Sequence, residues 1–458
     1  MRTRSLLVAF LTALLLATGC SGAGTPAGRH LTMWVAEDDP GRVAAIRAIL
    51  ARFQRQSGIG VSLVPVDEDQ LPAQVTNASG AGDLPDVLGA LPLGALHALA
   101  ADGLTDDDAA GKVLDALGRE TFVKRALDLV SVGGRPVAVP SDTWTQLLLY
   151  RKDLFARAHL AVPDSFAAIR AAAARLNRAG TAGIVAATAP GEVFTQQTFE
   201  YFAVANGCQL TDPRGAVTLT SRACVDTFAF YVDLIRHGSV AGAQDVATTR
   251  AAYLAGKAAM LVWSSFVLDE LAGLQDNPRP TCPPCRADPR FLASHSGVVT
   301  AVRGPDAAAP SQFGEVTGFA ITKDGNVAAA RRLVTSLLSD GYLDWLGFAP
   351  EGKFPTRRGT REQPDRYVRA WQSLPAGVDR KQPLAAIYPA DVLQRLAAST
   401  QTMRRWGFEQ GQGRLVGAQL EALPVPAALA DALDGRLDPR RAAEQAQARV
   451  EELARSVR

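Results

Sequence analysis

The chain has 458 residues, with 48 lysines and arginines against 46 aspartates and glutamates, for a formal net charge of +2. Near-neutrality without a long basic stretch excludes the electrostatic footprint of a nucleic-acid binder. The length is too great for one small core and favours two lobes. Past the amino terminus no apolar run is long enough to span a bilayer.

The first element is the amino terminus itself. Arg2 and Arg4 precede an uncharged apolar run over residues 6–16, followed by Ala17, Thr18, Gly19 and Cys20. The run is about half the ~20 residues of a membrane-spanning helix, so it reads as an export signal ending at a lipidation site. Residues 1–20 are then the signal peptide with the lipidated Cys20, and residues 21–30 a flexible tether. The folded part is expected outside the cytoplasm, lipid-anchored at the outer face of the cell membrane. Setting Cys20 aside leaves Cys208, Cys224, Cys282 and Cys285, an even number in an oxidising compartment, so two disulfides are expected. Cys208 pairs with Cys224 across a turn containing Asp212, Pro213 and Gly215. Cys282 pairs with Cys285 inside a proline-rich loop, where a C-x-x-C is a staple rather than a redox centre. No second C-x-x-C exists to complete a four-cysteine zinc site.

Residues 31–35 form a short buried strand. Asp38, Asp39, Pro40 and Gly41 mark a helix start, and Val43, Ile46, Ile49, Leu50 and Phe53 repeat at helical spacing until Gly58 and Gly60 end the helix. A strand over 61–66, a helix over 71–78 and a return to strand over 82–88 complete the alternation of a parallel sheet wrapped by helices. A helix over 96–101 is capped by Gly103. Residues 137–140 lead through Ser141, Asp142, Thr143 and Trp144 into apolar 147–150. The proline and polar residues interrupt the strand pattern, which reads as a crossing between lobes. Helices follow over 166–176, 195–205, 225–235 and 251–260, the last running into a strand-like 261–263. A proline-rich loop covers 276–289, a strand 319–322, and helices 328–338, 385–405 and 440–457.

The chemistry-bearing motifs are missing: no G-x-x-x-x-G-K-[ST], no G-x-S-x-G and no H-E-x-x-H. The five histidines, His30, His97, His159, His237 and His295, are scattered. Adjacent acids such as Asp38 and Asp39 read as solvated helix starts. Nothing calls for a cofactor or a metal, and an enzyme is not supported.

Several blocks in order resemble one family. These are Leu31-Thr32-Met33-Trp34, Gly82-Asp83-Leu84-Pro85-Asp86-Val87, and Val139-Pro140 through Leu149-Tyr150-Arg151-Lys152-Asp153-Leu154-Phe155. Ala255-Gly256-Lys257-Ala258-Ala259-Met260 with Trp263, Gly318-Phe319-Ala320-Ile321-Thr322-Lys323-Asp324, and Gly352-Lys353-Phe354-Pro355-Thr356-Arg357 follow. Together they resemble the extracellular solute-binding lipoproteins of ABC importers, in the carbohydrate-binding group related to maltose-binding protein (family 1 solute-binding proteins). Pro163-Asp164-Ser165-Phe166 departs from the family's usual P-x-T-W, and the two cysteine pairs are not general to it. The resemblance implies an α/β, two-lobed periplasmic-binding-protein fold, each lobe a mainly parallel sheet flanked by helices, joined by several crossovers. The first lobe is expected from residues 31–142 and 311–358, the second from 143–310 and 359–458. A ligand in the cleft closes the lobes by a hinge motion, and the closed monomer docks to the permease subunits of the importer.

A sugar offers hydroxyls at its edge and C–H patches on its faces, so its site needs carboxylates or amides together with flat aromatic rings. Loops at the carboxyl ends of strands are the place to find them. Glu37 and Asp38 follow the first strand, Asp142 and Trp144 the crossing, and Trp263, Ser264 and Ser265 the strand before the stapled loop. Trp263 is the strongest single candidate. Glu315 and Thr317 precede the returning strand, facing the cleft by analogy. Trp345, Phe348, Trp371 and Trp406 are further aromatic candidates, while Trp34 reads as core. Gln74 and Asn77, with Phe194, Gln196 and Gln197, are edge candidates. The expected ligand is a carbohydrate, an oligosaccharide or an amino sugar. Two other readings stay open: the same fold binding a non-sugar solute such as a glycerol phosphodiester, and a secreted glycoside hydrolase, which needs two carboxylates across the cleft.

Overall fold

A computed structural model describes residues 30–67 and 70–457. The export signal, Cys20 and the tether before His30 lie outside the described residues.

The described strands that build the main sheet are β1 (His30–Ala36), β2 (Gly60–Val66), β3 (Val87–Pro92), β4 (Val139–Arg151), β5 (Met260–Ser264), β6 (Ser296–Val299), β7 (Gly314–Ile321) and β8 (Phe354–Pro355). Their order is β8-β4-β7-β3-β1-β2, with β5 and β6 also paired to β4. β2, β1 and β3 are parallel, and β7 returns antiparallel between β3 and β4. The helices that position the site are α1 (Pro40–Ser57), α2 (Leu71–Ala81), α3 (Leu93–Ala101), α4 (Val193–Ala205), α5 (Val246–Leu254), α6 (Leu268–Leu271), α7 (Tyr342–Gly347) and α8 (Ala390–Thr402).

Local chemistry explains the first unit. Leu31, Met33 and Val35 alternate inward along β1, the two-residue period of a strand. The Asp39 carboxylate accepts from the Arg42 N–H at 2.8 Å and caps α1. Gly58 ends the helix in the left-handed conformation at φ 71°, which glycine adopts without a Cβ penalty. Ile46, Ile49, Leu50 and Phe53 then pack with the β1 side chains in one core.

The crossing between lobes is one unbroken 13-residue strand, β4, where the sequence pattern suggests an interruption. Pro140 has no N–H to give, and the β4–β7 register shifts between Pro140 and Asp142, so a bulge absorbs it. The first half of β4 pairs with β7. The second half pairs with β5 and β6, so both lobes share this strand.

Two helices expected from the sequence are redrawn. The helix before β5 runs over Val246–Leu254, not 251–260, because Asp245 and Thr248 form a reciprocal cap and Gly256 turns the chain at φ 73°. The 385–405 segment splits at Pro389 into Leu384–Ile387 and α8, since proline cannot continue a helix. Disulfides join Cys208 to Cys224 and Cys282 to Cys285. Among the described residues no helix is long and apolar enough to cross a membrane.

Candidate ligand-binding cleft

The polar side chains of interest gather where β4 leaves one lobe for the other. Trp144 and Gln146 share a face of the strand by its two-residue period. The Trp144 ring is half-buried, 5.7 Å from the Phe313 ring. Gln146 stands opposite Ser264 of β5. Beyond Ser264 a tight turn over Ser265–Val267 presents Phe266, and α6 follows with Asp269 and Glu270. α1 contributes Arg42, whose guanidinium carbon lies 5.3 Å from the Phe266 ring centroid. Arg42 is also 3.6 Å from the Glu37 carboxylate. The loop after α7 brings in Glu351 and Gly352. A Cβ at position 352 would fall 2.1 Å from the Phe266 ring, so the aromatic ring abuts bare backbone there.

This junction holds buried polar atoms without hydrogen-bond partners. They are Asp269 Oδ1, Glu270 Oε2, Glu351 Oε2, Ser265 Oγ, Arg42 Nε and both amide atoms of Gln146. The other oxygens of Asp269 and Glu270 are engaged: Gln275 Nε2 donates to Asp269 Oδ2 at 2.7 Å, and Arg250 Nη1 to Glu270 Oε1 at 2.8 Å. Unpartnered buried oxygens of this kind cost stability until a donor reaches them. Burial pushes the Glu270 carboxyl up to about 8, with the Asp269 charge adding and Arg250 opposing. Burial, then Asp269, likewise raises Glu351 to about 8, and burial raises Asp269 itself. For Arg42, burial works against the charge, but Glu37, Glu351, Asp39 and Asp269 outweigh it and its pKa rises. A cavity of about 710 Å³ runs along α1, lined by Arg42, Ile49, Arg52, Asp344, Phe348 and Lys381 among others, and meets the cluster at Arg42.

The sequence candidates scatter relative to this junction. Glu37 is at it. Asp38 is exposed, and Gln74 lies half-exposed on α2. Trp263 is 5 % exposed, with its Nε1 donating to the Val246 carbonyl at 3.0 Å and Arg250 over its ring, so it packs beneath the site as core. Ser264 is buried at the end of β5. Asp142 is locked by Lys353 Nζ at 2.9 Å and Trp345 Nε1 at 2.8 Å. Trp345 is fully buried against Phe319 and Phe348. Trp406 is fully buried, its Nε1 donating to the Cys208 carbonyl at 2.9 Å. Glu315 lies within β7, not before it, and is held by Arg405 and by the Leu93 N–H at 3.0 Å. Arg405 also contacts Glu200 at 3.1 Å, a buried ion triad joining α4 to β7. Thr317 is half-buried and shares a hydrogen bond with the Ser141 hydroxyl at 3.1 Å. Gln196 is fully buried on α4 with both amide atoms unpartnered, two residues after Phe194, whose ring lies 5.6 Å from Trp263.

The model of the bacterial extracellular solute-binding protein family matches residues 38–342, well over half of the chain. The chain belongs to this family. It is 27 % identical over 326 residues to YcjN, an ABC transporter periplasmic-binding protein of Escherichia coli K12, covering 69 % of this chain and 70 % of that protein. In fold it is similar to a solute-binding protein of Agrobacterium radiobacter K84 solved with ribitol, at a TM-score of 0.69 and 21 % identity over 93 % of this chain and 99 % of that one. It is similar also to maltose-bound MalE3 of T. maritima, at 0.71 and 19 % over the same shares. These likenesses show the two-lobed periplasmic-binding-protein fold.

In this solute-binding protein the sequence candidates do not include Arg42, Phe266, Asp269, Glu270 or Glu351. Two of them leave a local trace. Arg42 sits in the first turn of α1, where the helix dipole disfavours a cation, so a nearby acid has to explain it. Phe266 comes three residues after Trp263, in the turn that follows the strand, where a ligand-facing ring belongs. Asp269, Glu270 and Glu351 leave none, because acids in a short helix and beside a glycine look solvated until the fold buries them.

Proposed function

We propose that this solute-binding protein captures a carbohydrate between its lobes, without turnover, and hands it to the permease of an ABC importer while anchored outside the membrane by a lipid on Cys20. The observation that carries the carbohydrate reading is the junction itself. Buried acceptors on Asp269, Glu270 and Glu351, with the Gln146 amide, suit the hydroxyl edge of a sugar, and the half-buried Phe266 and Trp144 rings suit its C–H faces. Solved proteins of similar fold hold ribitol, maltose and α-D-tagatose, which supports a polyhydroxyl ligand. Arg42 of α1 lies directly over the Phe266 ring, so a ligand seated beside this contact touches both sides of the junction, the condition for ligand-driven closure.

The test is a thermal-shift screen of the purified chain against mono- and oligosaccharides, glycerol phosphodiesters and amino acids. A ligand that binds only the folded state raises Tm by mass action. The reading expects a rise of several degrees with one sugar class, the sugar recovered unchanged, and the rise lost in Phe266→Ala. Shifts confined to phosphodiesters or amino acids overturn the carbohydrate reading. Consumption of the sugar overturns binding without turnover.

A further inference from the structure

The charge balance of the junction narrows the ligand class. Glu37, Asp39, Asp269, Glu270 and Glu351 converge there, and the cationic side chains that offset them are Arg42, Arg250 and Lys381. Each cation is already committed: Arg42 to Glu37, Arg250 to Glu270, and Lys381 to the Gly377 carbonyl. Among the described residues Asp269 and Glu351 have no ion-pair partner of their own, yet they are 0 % and 2 % exposed. A buried carboxylate is retained only if it is paired or loses its charge.

We infer that the cleft is built for a polyhydroxyl compound carrying a protonated amine, with the ammonium seated against Asp269 and Glu351 and the hydroxyls on Glu270, Ser265 and Gln146. An ammonium brings three donors and no acceptor, which suits the unpartnered oxygens Asp269 Oδ1, Glu270 Oε2 and Glu351 Oε2, while the unpartnered Arg42 Nε and Gln146 amide are left for the ligand's hydroxyls. Burial holds Glu351 and Glu270 largely protonated near neutral pH in the unliganded protein, and an arriving ammonium displaces those protons to form ion pairs that a neutral sugar cannot make. A bare divalent cation is the competing occupant. Among the described residues no three His, Cys, Asp or Glu side chains stand as a metal-holding group.

This inference rests on the carbohydrate reading, and matched ligands separate the two. Binding of the full chain is measured calorimetrically with glucosamine, galactosamine and mannosamine, their N-acetyl forms and the parent hexoses. Repetition in two buffers of different ionisation enthalpy reads the proton release. The expected result is at least tenfold tighter binding of one amine than of its N-acetyl and hydroxyl counterparts, accompanied by proton release. The amine preference over the parent hexose should disappear in Asp269→Asn and Glu351→Gln, with a cooperative urea-unfolding transition showing that both variants are folded. Equal affinity for amine and hexose overturns this inference and leaves the carbohydrate reading standing. No binding across the panel overturns this inference, and the wider screen then decides the carbohydrate reading by itself. A Tm rise with calcium or magnesium chloride alone, lost in Asp269→Asn, overturns it in favour of a metal.

Discussion

Trp263 and Phe266 are three residues apart on one strand-to-turn segment and do different work. Trp263 is covered by Phe194 and Arg250 and tied through its indole N–H to the Val246 carbonyl. Phe266 keeps an open side at the meeting of the two lobes. Trp263→Ala should therefore behave as a core truncation and cost about 3–5 kcal/mol in stability. Phe266→Ala should leave the unfolding midpoint of the unliganded chain close to wild type and weaken ligand roughly tenfold, about 1.4 kcal/mol. Urea unfolding and ligand titration of the two variants check this. A stable, binding-dead Trp263→Ala would restore that residue to the site and remove Phe266 from it.

At the scale of elements, the two disulfides staple loops of very different length. Cys208 and Cys224 are 16 residues apart, whereas Cys282 and Cys285 are 3 apart. In the loop-entropy account a closure of the longer kind is worth about 3 kcal/mol, and a very short one far less. The double replacement Cys208→Ser/Cys224→Ser should lower unfolding stability by about that amount, and Cys282→Ser/Cys285→Ser by much less, both read by denaturant melts. β4 carries another lesson at this scale. A proline followed by three polar residues in a row looks like a broken strand. The polar side chains are matched instead by buried partners, the Asp142 carboxylate by Lys353 and Trp345 and the Thr145 hydroxyl by the Phe313 carbonyl. The strand that joins the lobes is polar for that reason.

For the whole molecule, the buried acids make stability depend on pH in an unusual direction. Glu270 and Glu351 bind protons up to about pH 8 in the fold, against an ordinary value of 4.5. Between those limits the folded state holds more protons than the unfolded chain, so unfolding free energy falls as pH rises from about 4.5 towards 8. Denaturant unfolding of the unliganded protein at pH 5 and pH 8 should show the loss, and Glu351→Gln should flatten it. An identical slope in wild type and variant would mean that Glu351 is not buried as an unpaired acid.

The sequence by itself determined the alternation of strands and helices, because strand and helix periods and glycine stops are local properties that a chain writes along its own length, while the two-lobed architecture came through the family resemblance. It also pointed to the family, through short blocks kept in order from residue 31 to residue 357. Only the tertiary structure decided which side chains meet at the cleft. Asp142, Trp345 and Trp406 have the chemistry of a sugar site, but folding uses their polar atoms inside the protein. Arg42 and Glu351 are some 300 residues apart and acquire their character only when α1 and the loop after α7 close on α6. Burial and charge pairing are properties of neighbours in space, and no spacing along the chain encodes them.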